Sequence, residues 1–187
     1  MKLSSLARLC TVLSLITATP LSALAALKVT LEKSSMTASF KQMNVPMEGH
    51  FKKFNASIDF NPAKLDASKA EIDIDMNGFD LGDADFNKEV AKKTWFNSAQ
   101  FPKASFSSTS IKSSGAGKYE VAGKLTIKGK TTEVSIPVSV KKEGALQIFD
   151  GALPIKRLTY AIGEGEWKDT SMVADEVMLK FHLVTSP

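Results

Sequence analysis

The sequence is short of the residues that most often carry chemistry. Its 187 residues include one cysteine, Cys10, and two histidines, His50 and His182. A single cysteine forms no internal disulfide, and no Cys/His cluster has the spacing of a structural zinc site. Charge of one sign is also scarce, with 24 basic residues against 20 acidic ones and a net charge of +4. The hydrophobic fraction of 43% and the charged fraction of 24% are ordinary globular values, which exclude disorder and collagen-like repeats. The length suits one domain of average size or two small ones. No G-x-S-x-G, H-E-x-x-H or G-x-x-x-x-G-K-[ST] string occurs.

The one apolar run stands at the start of the chain. Residues 1–25 read as a secretory signal peptide. Lys2 and Arg8 make a positive beginning, Leu9 to Ile16 an apolar core, Pro20 a helix break, and Ala23-Leu24-Ala25 a small-residue cleavage pattern. Thr, Ser and Pro interrupt this stretch, whereas a spanning helix needs about 20 predominantly apolar residues. Cleavage is expected after Ala25, leaving one domain over 26–187 that is not an integral membrane protein. The segment holds two basic residues and no acidic one, so its removal lowers the net charge from +4 to +2 over 162 residues. Cys10 leaves with it. A cysteine-free remainder suits an oxidising compartment and excludes cysteine nucleophiles and ligands. A net +2 spread over scattered lysines gives little attraction for nucleic acid.

The rest of the chain alternates with period two, the mark of strands with one buried face. Met36, Ala38 and Phe40 alternate with polar residues, as do Phe54, Ala56, Ile58 and Phe60, and Ala70, Ile72, Ile74 and Met76. The pattern returns over Val121–Ile127, Val134–Val140 and Val177–Leu183, and more weakly over Lys28–Glu32, Ala104–Ile111 and Leu146–Ile155. Asn61-Pro62, Ser113-Ser114-Gly115, Lys128-Gly129-Lys130 and Glu143-Gly144 read as reversals, so neighbouring strands are antiparallel. Asp83–Thr94 breaks the pattern. Phe86 and Val90, four apart, predict a short amphipathic helix capped by Asp83, and a second helical turn is possible after Pro62. The expected fold is mainly β: a single antiparallel barrel of about eight strands with one short α-helix.

The faces decide what kind of barrel. Asp59, Glu71, Asp73, Asp75, Lys124 and Lys141 fall on the non-apolar face, where ionised groups belong in water and would be costly in lipid. The apolar face therefore points inward. Pro137 falls on the polar parity, so its missing N–H predicts an edge or a bulge. Small inward residues, Ala38, Ala56, Ala70, Ala104 and Gly123, leave room among the bulky ones. A small barrel is either filled by its own side chains or holds one small ligand, and alternation alone leaves both open.

Other candidates are weaker. His182 alternates outward and reads as solvated. His50 follows Gly49 near a strand start. Gly163-Glu164-Gly165-Glu166-Trp167 reads as a polar loop, and Asp80–Asp85 lacks the spacing of a calcium loop. No metal site, cofactor site or catalytic constellation is expected. Trp95, Phe96, Phe101 and Trp167 lie off the strands, where they either plug the barrel ends or gate a hydrophobic tunnel.

At these residues the chain resembles the YceI family of exported lipid-binding proteins. The resemblance rests on the Phe54-x-Ala56-x-Ile58-x-Phe60-x-Pro62 string and on Trp95-Phe96 followed by Phe101-Pro102-x-Ala104-x-Phe106. It rests also on the run Gly123–Thr131, on Ile162-Gly163, and on Asp175-Glu176-Val177. It spans nearly the whole chain after residue 26. It implies a lipocalin-like eight-stranded barrel that binds a polyisoprenoid or similar long-chain amphiphile in an internal pore, in the bacterial periplasm. Two features depart from the common family pattern. Glu32-Lys33-Ser34-Ser35-Met36 lacks the histidine that many members carry there, and Phe40–Phe54 looks like a branch of the family.

The resulting expectation is non-catalytic storage or transport of a long isoprenoid, isoprenoid quinone or fatty-acyl ligand. Phe40, Phe54, Ile58, Phe60, Ile72, Ile74, Phe106, Leu125, Ile136, Val138 and Phe181 are the expected wall. Trp95, Phe96, Phe101 and Trp167 are the expected ends. The competing reading is an exported interaction module with a packed core. A lipid hydrolase or isomerase would need an interior polar constellation, for which parity gives no sign. The sequence is also compatible with a homodimer.

Overall fold

The computed structural model describes residues 27–186. The expected signal peptide lies outside the described residues. The strands are β1 (Leu27–Val29), β2 (Ser35–Gln42), β3 (Val45–Phe51), β4 (Phe54–Asp59), β5 (Lys69–Asp75) and β6 (Phe79–Asp80). After helix α1 (Ala84–Ala91) follow β7 (Lys103–Gly115), β8 (Lys118–Ile127), β9 (Lys130–Glu143), β10 (Leu146–Lys156) and β11 (Glu176–Ser186).

Pairing shows that the first six strands are three interrupted ones. β1 pairs with β4 and β2 with β3, while β4 pairs with β5 and β3 with β6. β5 then pairs with β7, and each later strand pairs with its sequence neighbour. β11 returns to both β1 and β2. The sheet closes into an eight-stranded antiparallel up-and-down barrel, which leaves no free edge around most of its wall.

Each interruption has a local cause. Between β1 and β2 a 3-10 turn, Leu31–Lys33, is held by Ser34, whose hydroxyl donates to Thr30 O (2.8 Å) and accepts from Val184 N (2.9 Å). β3 and β4 part at Lys52-Lys53. There Lys52 N donates to Gly78 O (3.0 Å) and Asp75 N to Lys53 O (2.9 Å). β5 and β6 part at the 3-10 turn Met76–Gly78, where the Asp75 carboxylate accepts from Asn77 N.

The alternating segments became β2, β4, β5, β8, β9 and β11, with apolar residues inward. β3 and β6 were not foreseen. The predicted helix is present but ends at Ala91, with Asp83 accepting from the backbone N–H groups of Asp85 (2.8 Å) and Phe86 (3.0 Å) as its cap. A 3-10 turn, Leu65–Ala67, follows Pro62. β9 pairs with β10 only over residues 138–143. Pro137 therefore sits just beyond that ladder, where its lack of an N–H costs nothing.

Candidate functional site

The inward faces enclose two apolar cavities. The larger, about 140 Å³, lies in the half of the barrel covered by α1, by the Lys92–Pro102 segment and by the loop between β10 and β11. Its lining is aliphatic and aromatic except for Thr37, Arg157 and Lys180. The smaller, about 50 Å³, lies toward the other end, and Tyr119 is its only polar lining residue. Ile72, Phe106, Ile136 and Phe181 line both cavities and form the neck between them.

The structure sorts the expected wall residues by depth. Phe40, Ile74 and Leu125 line the larger cavity, with Trp95 and Phe96 at its end. Ile58, Phe60 and Val138 line the smaller one. Phe54 lines neither. It opens β4 next to the Lys52-Lys53 break, opposite Ile74, and is buried in the surrounding core.

Two of the expected end residues are also displaced. Phe101 lies outside the cavity, with a ring carbon 2.9 Å from where a Cβ on Gly129 would stand, so it covers the β8–β9 turn. Trp167 does not line the cavity; it backs Trp95, with ring centroids 5.3 Å apart and planes at 51°. Of the small residues expected to leave room, Ala38 and Ala104 line the larger cavity and Ala70 the smaller. Ala56 lines neither.

Gly123 does the opposite of leaving room. A Cβ there would stand 2.5 Å from the Phe106 ring, so the ring lies on the bare backbone. Gly151 carries the Phe181 ring in the same way, at 2.3 Å, from the directly opposed position on β11. Such glycine–aromatic pairs let a bulky ring lie along the sheet. Here they seat the two aromatic members of the neck.

The far end is closed by aromatic packing. Phe60 meets Tyr119 at 5.0 Å and Phe149 at 5.4 Å between centroids, both edge to face. This geometry suits the ring quadrupoles.

The near end is organised by a residue that sequence reasoning missed. Arg157 is 2% exposed. Its Nε donates to Ala174 O (3.1 Å), Nη1 to Ile162 O (2.9 Å) and Gly163 O (3.2 Å), and Nη2 to Trp167 O (2.6 Å) and Val173 O (2.7 Å). All five guanidinium N–H groups are thus spent on main-chain carbonyls. The guanidinium carbon also lies 5.6 Å from the centre of the Trp95 ring, a cation–π contact. Burial lowers the arginine's pKa and Asp175 raises it, yet an arginine stays charged in such a site. One signal was available: the only other arginine in the sequence is Arg8, in a chain that otherwise uses lysine.

Lys128 supports the same loop. Its ammonium donates to Lys93 O (2.8 Å), Ala161 O (2.6 Å) and the Glu164 carboxylate (2.9 Å). The hydrogen bond from Lys128 holds the Glu164 carboxyl below its ordinary value. The glycine–glutamate loop is therefore structural. Trp95 Nε1 is buried without a partner among the described residues.

The remaining polar candidates lie outside the cavities. His182 is not simply solvated: Nδ1 meets Asp150 at 2.6 Å across the β10–β11 pair. His50 is exposed, 3.8 Å from Glu48. Asp80 pairs with Lys52 (2.5 Å), which, with Asn87 and Gly82 N, holds its carboxyl well below the usual carboxylate range. Among the described residues, no three His, Cys, Asp or Glu side chains gather as a metal site requires. The interior offers apolar surface and a buried cation, with no acid–base pair.

Known proteins share this architecture. The crystal structure of BcnA from Burkholderia cenocepacia is 55% identical, covers 84% of this chain and 99% of its own, and superposes with a TM-score of 0.82. A polyisoprenoid binding domain from Saccharophagus degradans, implicated in plant cell wall breakdown, shares the fold at 17% identity and a TM-score of 0.67. That likeness covers 88% of this chain and 99% of that one. A UPF0312 protein of Shewanella denitrificans is 33% identical over 96 residues, 51% of this chain and 50% of the relative. The chain thus spans about half the length of the curated relatives it matches. The YceI-like domain matches residues 27–185, and the chain belongs to that family.

Proposed function

We propose that the barrel binds one long-chain apolar amphiphile, such as a polyisoprenoid, an isoprenoid quinone or a fatty-acyl compound, without catalysing a reaction on it. The observation that carries this reading is the pair of adjacent apolar cavities that share Ile72, Phe106, Ile136 and Phe181 in their walls. An unfilled cavity is costly. At about 24 cal/mol per Å³, the 140 Å³ cavity alone costs roughly 3 kcal/mol. That is a large share of a typical domain's stability of about 5–15 kcal/mol. Water offsets little of the cost along the aliphatic and aromatic part of the lining, where it finds no hydrogen-bond partner. An apolar chain offsets it, at about 0.8 kcal/mol for each buried methylene.

The absence of an acid–base pair in the lining supports binding over catalysis. The Saccharophagus degradans domain, described as polyisoprenoid-binding, supports the ligand class. The polar end of the amphiphile meets the field of Arg157, whose guanidinium donors are already used. The signal-like residues 1–25 support a periplasmic location, where such a protein stores or carries its ligand.

Native mass spectrometry of protein purified without detergent tests the proposal. The expected result is an added mass of one lipid, or uptake of an offered isoprenoid or fatty-acyl compound. Repeated recovery of empty protein with no uptake overturns it. Ala104→Leu, which fills the larger cavity, is expected to weaken uptake while leaving the fold intact.

A further inference from the structure

The hairpin between β2 and β3 lies in the segment that departs from the common family pattern, and the ligand cavity does not account for it. Its two-residue turn, Met43-Asn44, has φ of 49° and 64°. This is the left-handed geometry of a type I′ turn, which favours Asn and Gly and is uncommon for methionine. Met43 is nevertheless there, and it is 71% exposed. Val45 beside it is 58% exposed, and Met172 and Phe86 are exposed as well.

Each of these four residues stands close in the chain, or on the same strand face, to a residue of the cavity wall. Val45 shares the inner face of β3 with Phe51, which lines the larger cavity. Met43 stands three residues past Phe40, Met172 one residue before Val173, and Phe86 one helical turn before Val90. Phe40, Val173 and Val90 all line that cavity. The hairpin and the loop are joined into one surface: Met43 N donates to Met172 O (2.7 Å), and Ala174 N to Lys41 O (2.9 Å). Residues 42–47 and 170–174 contain no charged side chain.

We propose that this rim docks on the surface of a lipid bilayer and that the ligand passes there between the bilayer and the larger cavity. The proposal rests on the ligand class proposed above, because a long apolar chain resides in a bilayer and crosses water poorly. An apolar path from rim to cavity spares it that crossing. The uncharged tips and their internally bonded main chain can enter the interface without burying unpaired polar groups. Size argues against a protein occupant. A stable protein–protein interface takes about 800 Å² from each partner, more than four side chains on a hairpin and a loop supply. Shallow insertion of a few apolar side chains is instead the scale of weak, reversible membrane binding.

The test compares the full protein with the double variant Met43→Glu/Met172→Glu, neither residue being part of the cavity lining. Three measurements are made: flotation with phosphatidylcholine vesicles, the rate of transfer of a fluorescent fatty-acyl probe from those vesicles, and probe affinity in vesicle-free buffer. The wild type is expected to float with the vesicles. The variant is expected to lose flotation and to load about tenfold more slowly, the effect of roughly one lost contact's worth of docking, with unchanged vesicle-free affinity. Equal loading rates, or a wild type that does not float, overturn the proposal. So does a concentration-dependent dimer that the variant abolishes, because the rim would then be a contact between copies. A wild type that takes up no probe from any source defeats the ligand reading, while flotation still decides docking by itself. Val45→Asp repeats the test if the double variant loses its circular-dichroism spectrum.

Discussion

At one end of the barrel Arg157 holds five carbonyls and lies over Trp95; at the other, Phe60 meets Tyr119 and Phe149 edge to face with no charge involved. Hydrogen bonds from a rigid guanidinium fork are directional, so the first closure fixes the course of the loop from Arg157 to Asp175. Aromatic contacts are broad in distance and angle, so the second closure fills volume without dictating a main-chain path. The larger cavity and its exposed rim lie at the directional end. The smaller cavity lies at the aromatic end.

The sharpest way to break this contrast is Arg157→Met. It leaves the carbonyls of Ile162, Gly163, Trp167, Val173 and Ala174 without their donor. The expected loss is about 3 kcal/mol or more, or a thermal midpoint lower by roughly 10 °C. Arg157→Lys is expected to rescue little, since an ammonium has fewer donors and no fork. A loss below about 1 kcal/mol by thermal denaturation would mean that the loop is fixed by something else.

Between the two ends, Gly151→Ala places a methyl group where the Phe181 ring rests. Displacing the ring is expected to cost about 1–3 kcal/mol in chemical denaturation. Access to the smaller cavity should change as well, seen as an altered chain-length preference in competition binding. Unchanged stability would show that the ring has another place to go.

At the aromatic end, Phe60→Leu keeps the residue apolar and nearly fills its site. The expected cost is about 1 kcal/mol, with a shift toward longer chains as the stop recedes. A cost equal to that of Arg157→Met would erase the difference between the closures.

The smallest effect concerns Glu164. Its folded-state pKa is lowered from the ordinary 4.5, so near that pH the unfolded chain binds the proton more readily. Stability from the Lys128 pair is therefore fully present above about pH 4.5 and is lost as pH falls through the lower, folded value. The Glu164 side chain is 45% exposed, so solvent screening keeps the benefit small. Wild type and Glu164→Gln are expected to differ at neutral pH and to converge in acid, read from denaturation midpoints across pH.

Period-two alternation made much of this barrel legible, because one face of each long strand is buried and the other wet. β3 escaped although Val45, Met47, Gly49 and Phe51 do alternate. Gly49 interrupts that apolar series with no side chain, and it is the seat of the Phe79 ring, 2.1 Å from where its Cβ would be. A cross-strand ring that replaces a missing side chain is invisible until the strands are paired. Gly123 misled for the same reason. The wall residues were readable from parity, but which cavity each one lines depends on its height in the barrel, which parity does not carry. Arg157 could not be read as a hub because its partners are main-chain carbonyls, which every residue has.

Closure joins the two ends of the described chain. Lys28 stands opposite Ser186 and Val29 opposite Thr185, and β2 takes Met178–His182 of the same last strand. Until β11 is present, the sheet keeps two open edges and has no sealed interior. Contacts that span nearly the whole sequence form late, and chains dominated by such pairings fold over milliseconds to seconds. The barrel therefore cannot seal until β11 pairs with both β1 and β2, so the order of strand formation is set by its last partner.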